Sequence, residues 1–210
     1  MAQIVLFPDA AVPLHIFEPR YRQMTADALA GDRRIGMVGV RPEHTGEMGG
    51  DPPLYPVGCE GFIEQHQELA DGRYQILLRA TARFRIEAEL PREGDRLYRV
   101  ARVVELPEVQ GDPNAVEALR ARVVAHLEEI AQRALRDDPN GAFDAAPLEA
   151  LAPDKFANGV AHSIALPLQE KQSLLAADTI EDRLRQLDDA LSFHLAARSH
   201  AAPGGSETVH

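Results

Sequence analysis

Lys155 and Lys171 are the only lysines in the 210-residue chain, and nucleoside-triphosphate chemistry would have to use one of them. A P-loop sets Gly directly before its Lys, so that loop backbone and ammonium hold the phosphates together. Asp154 precedes Lys155 and Glu170 precedes Lys171, which excludes a Walker A loop. A Ser–Lys dyad needs a desolvated Lys beside a Ser. Ser173 lies two residues from Lys171 and points away from it on a helix, and Ser163 would reach Lys171 only through the tertiary fold. The eight histidines, at 15, 44, 66, 126, 162, 194, 200 and 210, include no pair at the four-residue step of a zinc-binding helix. Glu43, His44 and Glu47 could hold a metal loosely, but an exposed loop is the preferred reading. Cys59 reads as a small core or strand residue rather than a nucleophile, because no paired motif surrounds it. No G-x-S-x-G is present, nor a G-x-G-x-x-G after a strand. The carboxylate pairs Glu128-Glu129, Asp137-Asp138 and Asp188-Asp189 are adjacent, so their members do not share a helix face. No catalytic residue, metal ligand or cofactor is expected.

Charge and composition narrow the partners. The net charge of -11 argues against a nucleic-acid binder, whose affinity comes from neutralising phosphates. One stretch runs against that balance. Between Arg73 and Arg102 stand arginines 73, 79, 83, 85, 92, 96, 99 and 102, against Glu87, Glu89, Glu93 and Asp95. A solvated strand face explains them without a ligand. With no Trp and 5% aromatics, no stacking platform for bases or sugars stands out. No apolar run approaches the length of a membrane span, so no membrane partner is expected. The single cysteine excludes an internal disulfide framework, and a cytoplasmic location is the default.

These residues need elements to position them. The front half reads as strands: Gln3–Phe7, Arg34–Val40, Leu54–Glu68 bent at Gly58 and Gly61, Tyr74–Leu78, Arg83–Ile86 and Leu97–Leu106. Asp71-Gly72 is a tight-turn signal between two of them. Phe17–Ala30 reads as a helix with Pro19 in its first turn and Gly31 at its stop. Arg41–Pro53 is Gly- and Pro-rich and reads as a long loop. About six strands with one early helix make a small closed or half-closed barrel plausible.

After Leu106 the period changes. Asp112-Pro113 caps a helix whose stripe is Val116, Leu119, Val123, Leu127 and Ile130. Asp137–Gly141 breaks it. Phe156, Val160 and Ile164 mark a second helix that stops near Pro167, and Glu170–Ala176 a third. Asp178 with Glu181 forms a capping-box pattern ahead of Ile180, Leu184, Leu187, Leu191 and Leu195. The expected organisation is a β-barrel subdomain over 1–108, a helical subdomain over 112–198 and a tail over 199–210.

The run Leu6-Phe7-Pro8, then Val12-Pro13-Leu14-His15-Ile16-Phe17-Glu18-Pro19-Arg20-Tyr21-Arg22, resembles the opening of the Lon protease N-terminal domain family. Further segments match it in order. They are Val57–Ile63, Asp71–Tyr74, Arg83–Ile86, Tyr98–Glu105, Ala165–Leu168 and Glu170–Leu175. The resemblance covers residues 3–195. It implies an α+β fold: a PUA-like β-barrel with an inserted helix, followed by a C-terminal helical bundle. It also implies a free-standing, non-catalytic module that recognises polypeptide substrates or an adaptor partner, without the family's ATPase and protease domains.

Pro13, Phe17, Pro19 and Tyr21 read as packing and turn residues within that motif. Glu18 and Arg20 could form an ion pair that fixes the start of the helix, or line a groove. If there is a peptide groove, its apolar anchors are expected at the barrel–helix junction, with Tyr21, Met24, Phe62 and Tyr98 as candidates. The alternatives are an RNA-binding PUA-like module built on the Arg73–Arg102 stretch, and an unrecognised enzyme for a small ligand.

Overall fold

Leu69–Arg73 closes the central hairpin because Gly72 takes a left-handed backbone, φ 74°, which the Asp-Gly pair anticipates. The Leu69 amide bonds the Arg73 carbonyl at 2.8 Å, and the Asp71 carboxylate takes the Arg73 amide at 3.1 Å. The hairpin joins β3 (Val57–Glu68) to β4 (Tyr74–Leu90). The computed structural model describes residues 4–47, 50–137 and 144–200. Among these, three further strands complete an antiparallel sheet: β1 (Ala11–Ile16), β2 (Arg34–Met37) and β5 (Val100–Leu106). The order is β1-β4-β3-β2, with β5 also on β4. β1 pairs with residues 74–79 of β4 and β5 with residues 83–90, so the two follow one another along a single long strand.

Several expectations change here. Residues 4–7 form no strand, although Val5, Leu6 and Phe7 are buried. Their apolar character signalled burial, not pairing. The strand is Ala11–Ile16, which tolerates Pro13 because it lies at a sheet edge. Tyr74–Leu78 and Arg83–Ile86 are one strand, so the expected six become five among the described residues. The intervening Arg79–Ala82 lacks large apolar residues yet pairs with β1 and β3. The expected strand Arg34–Val40 stops at Met37, with Val40 in an isolated bridge to Leu54. The long loop contains a 3-10 turn, Pro42–Glu47. Gly61 adjoins a register shift, as a bend requires, but Gly58 serves close approach. A Cβ there would stand 2.7 Å from both the Met37 carbonyl and Phe84 Cζ.

The helices are α1 (Pro19–Ala30), α2 (Pro113–Asp137), α3 (Ala146–Glu149), α4 (Pro153–Ser163), α5 (Leu168–Ala176) and α6 (Ile180–His200). α3 had no sequence signal, and α4 stops short of Pro167. Two compact units result. The first is Met1–Glu108 with Asn158–Ala177, and the second is Val109–Ala157 with Asp178–His210. The helical region expected over 112–198 is thus divided, its middle going with the strands. The reason is local. α5 buries Gln172, Leu174 and Leu175, and the Gln172 amide donates to the Val57 carbonyl at 2.7 Å. Of the expected tail, 199–200 belong to the last turn of α6, and 201–210 lie outside the described residues. Residues 138–141 of the expected break also lie outside them.

In the second unit α2 packs on α6. Val116, Leu119, Val123 and Val124 are buried from one side, and Ile180, Leu184, Leu187, Leu191 and Leu195 from the other. Asp112 caps α2 through the amides of Asn114 and Ala115, at 2.8 and 3.0 Å. The capping box of α6 lies one residue later than expected. Thr179 Oγ1 accepts the Asp182 amide at 3.0 Å and donates to its carboxylate at 2.7 Å. Glu181 instead reaches the Asp112 amide at 2.9 Å, tying one helix start to the other.

Candidate functional site

Pro19 at the first helical position presets the turn that follows Glu18, whose extended backbone (φ -67°, ψ 136°) leads into α1. Arg20 Nε donates to Glu18 Oε2 at 3.0 Å, and Arg20 Cζ lies 4.6 Å from the centre of the Tyr21 ring. Glu18 and Arg20 thus form an ion pair at the helix start. Thr25 is buried, so Tyr21 and Ala28, close to it on the helical wheel, share its side of α1. Arg20, Met24 and Asp27 follow along an adjoining stripe.

That stripe holds the connection between β4 and β5. Gln23 Oε1 accepts the Leu97 amide at 2.7 Å, and Gln23 Nε2 donates to the Asp95 carbonyl at 3.2 Å. Tyr98 Oη donates to Asp27 Oδ2 at 2.9 Å, and Arg96 stands over the Tyr98 ring at 5.7 Å. Burial first, then the hydrogen bond to the Asp27 carboxylate, raises the Tyr98 phenol above its ordinary value. The loop 91–99 is therefore fixed on α1 with the Leu97 side chain 50% exposed.

The structure thus groups Arg20, Tyr21 and Met24 on α1, with Glu18 at its start, and brings Tyr98 to the same helix. Phe62 stands elsewhere, on β3, cross-strand from Arg34 and Arg79. Arg34 pairs with Glu60, and Arg79 with Glu64. Phe62 therefore sits between two ion pairs on a polar face. Sequence reasoning missed Gln23, Asp27 and Leu97. Their partners lie more than seventy positions away, and no local pattern announces such a bond.

The basic stretch is largely neutralised. Arg83, expected on a solvated face, is 2% exposed. It donates to Glu108 Oε1 at 2.6 Å and to the carbonyls of Leu175, Ala177 and Pro107 at 2.8, 2.7 and 3.1 Å. Arg73, Arg79, Arg92, Arg96 and Arg99 pair with Asp71, Glu64, Asp51, Glu93 and Glu89. Lys171 Nζ donates to the His162 carbonyl at 2.7 Å, capping the end of α4, and burial lowers its affinity for a proton. His44 Nδ1 lies 3.0 Å from Glu47. Among the described residues no three His, Cys, Asp or Glu are placed to hold a metal ion.

Comparison with known proteins gives the family. Residues 1–192 match the model of the ATP-dependent protease La (LON) substrate-binding domain. The chain belongs to this family. The Lon protease of Rhizobium meliloti (strain 1021) is 28% identical over 193 residues, covering 92% of this chain and 23% of that protein. Lon protease 2 of Syntrophobacter fumaroxidans is 29% identical over 175 residues, covering 83% and 21%. The chain thus spans less than a quarter of the length of these curated relatives. What it shares with them is the Lon substrate-binding domain, and the ATPase and protease domains are not among the matched residues. The N-terminal domain of Mycobacterium avium complex Lon protease superposes with a TM-score of 0.67 at 21% identity, covering 91% of this chain and 95% of that one. The Lon N-terminal domain protein of Xanthomonas campestris gives 0.59 at 22%, covering 88% and 92%. These two share the Lon N-domain fold, an antiparallel sheet followed by helices.

Proposed function

We propose that these residues form a non-catalytic module that binds polypeptide, either an unfolded substrate or an adaptor, from the surface where α1 meets loop 91–99. The observation that carries this reading is the bracing of an exposed apolar residue. Leu97 is held outward by the Gln23 and Tyr98 bonds, so no ordering of that loop is needed when a partner arrives. Tyr98, Tyr21 and Met24 supply half-buried apolar surface on the same helix and loop, and the Glu18–Arg20 pair supplies a polar rim. Phe62 remains in the proposal as a separate contact. The sheet is read as a PUA-like barrel, a reading supported by the register shifts in β3 and β4, which let long strands curl. A single buried cysteine and no helix, among the described residues, apolar and long enough to cross a membrane fit a cytoplasmic setting. The arginine pairings count against the RNA-binding alternative.

The test is fluorescence anisotropy with reduced, carboxymethylated α-lactalbumin, using the folded form as control. The unfolded probe should bind and the folded one should not. Leu97→Ser and Tyr98→Ser should each weaken binding about tenfold, as loss of an interface anchor does. Equal affinity for both probes, or full binding by both variants, would refute the assignment.

A further inference from the structure

Three strand edges in the described sheet lack a strand neighbour, and they differ in how they are protected. β1 carries Pro13, and β2 is four residues long. Both are ordinary devices against edge pairing. β5 has neither. It is seven residues, VARVVEL, without proline or glycine, and the irregularity in its ladder lies on β4, between Ile86 and Ala88. Among the described residues, no hydrogen bond is made to β5 beyond its ladder with β4. Val103 and Val104, which face opposite sides, are 44% and 46% exposed. An open, β-branched edge of this length is a template for another extended chain.

Register sets the chemistry of one face. Val104 lies opposite Arg85, Arg102 opposite Ala88 and Val100 opposite Leu90, so these six side chains share a side of the ribbon. Among the described residues, Arg85 and Arg102 are the members of the basic stretch without a carboxylate in an ion pair, and both are exposed. The acids nearby are placed elsewhere. Glu105 and Glu89 belong to the opposite face, Glu89 paired with Arg99, and Glu87 occupies the irregular position. A second copy of β5 added antiparallel would gather four arginines on one face, which opposes self-pairing.

We propose that the outer edge of β5 takes up an extended polypeptide segment as an added strand, and that it selects segments whose alternate side chains are acidic. This rests on the polypeptide-binding reading and adds to it a second contact, at the β5 edge rather than at α1 and loop 91–99, with its own substrate class. Main-chain bonds would supply affinity for any extended chain, and Arg85 and Arg102, flanking Val104, would supply the preference.

The test uses twelve-residue peptides alternating Glu with Val or Lys with Val, and the Glu peptide N-methylated at every second amide. The full chain is titrated by calorimetry, and exchange of the β5 amides is followed. The acidic peptide should bind about tenfold more tightly than the basic one and slow exchange in β5. N-methylation on the pairing edge should weaken it by a similar factor, through lost main-chain bonds. The double variant Arg85→Glu, Arg102→Glu changes two exposed side chains and should reverse the preference. Equal binding of all peptides, protection away from β5, or β5 protection that instead tracks self-association in sedimentation would overturn the proposal. Unfolded α-lactalbumin is measured in parallel. If it binds while the peptides do not, the edge assignment fails and the general function stands. If it also does not bind, both fail.

Discussion

Arg83 is the side chain on which the first unit should depend most. Its side chain is 2% exposed, and its guanidinium donates to one carboxylate and three carbonyls, which tie β4 to residues 107–108 and 175–177. Replacing it with Ala removes four charge-assisted bonds, each worth about 1.5–3 kcal/mol, against which the cost of burying the cation is recovered. Removing one partner of a buried pair costs about 3–5 kcal/mol. Glu108 keeps 23% exposure and can rehydrate, so the lower end, about 3 kcal/mol, is expected. Arg85→Ala, two residues on and exposed, is the control and should fall within about 0.5 kcal/mol of the unaltered chain. Urea unfolding followed by circular dichroism reads both, with the midpoint shift multiplied by the slope. Arg83→Lys should recover only part of the loss, because a point ammonium cannot reproduce the planar fork. If Arg83→Ala unfolds within about 1 kcal/mol of Arg85→Ala, the clamp is not what holds these segments, and a surface role for Arg83 returns.

Gly58→Ala should destabilise the sheet by about 1–3 kcal/mol, because its Cβ would meet the Met37 carbonyl and Phe84 at 2.7 Å; thermal unfolding checks it. In the second unit Asp188, 2% exposed, accepts from Arg122 at 2.6 Å and lies 3.1 Å from His126 Nε2. Asp188→Ala should cost about 2 kcal/mol and speed amide exchange in α2 and α6, while leaving exchange in β3 unchanged. Burial, then the Lys171 charge, lowers the His162 pKa below its ordinary 6.5. The unfolded chain therefore takes up that proton first. Stability from this group is full above pH 6.5 and falls as pH drops toward the depressed folded value. His162→Asn should flatten that fall in urea midpoints measured across the window, and an unchanged slope would contradict it.

The legible part of the fold was the part with a local cause. Asp71-Gly72 announced its turn because only a left-handed backbone closes that hairpin, and Asp112-Pro113 announced a helix start because cap and first turn are neighbours in sequence. The stripe from Ile180 to Leu195 was readable for the same reason: its period is that of the helix. Where the cause was distant, sequence reasoning failed. Val5, Leu6 and Phe7 are buried without forming a strand, and nothing in four residues separates those outcomes. The capping box of α6 slipped by one because two acids, Glu181 and Asp182, fit the same template. The choice was made by Asp112, which engages Glu181 across the helix pair.

Arg83 and Arg85 show the same limit on β4. They alternate with apolar residues as two equivalent members of a half-buried strand, and one parity places both on one face. That face changes character along its length. At Arg83 it looks onto the carbonyls of 175 and 177, contributed from ninety positions away, whereas two residues later Arg85 is exposed beside Val104. A periodic pattern assigns faces but not what covers them. The arginines therefore pointed jointly to a basic patch, and the structure separates them into a buried clamp, a set of neutralised pairs and Arg85 and Arg102, which have no carboxylate partner among the described residues, beside an open strand edge. Charge reversal at those two exposed positions should leave the fold standing, which is why they, and not Arg83, can test binding.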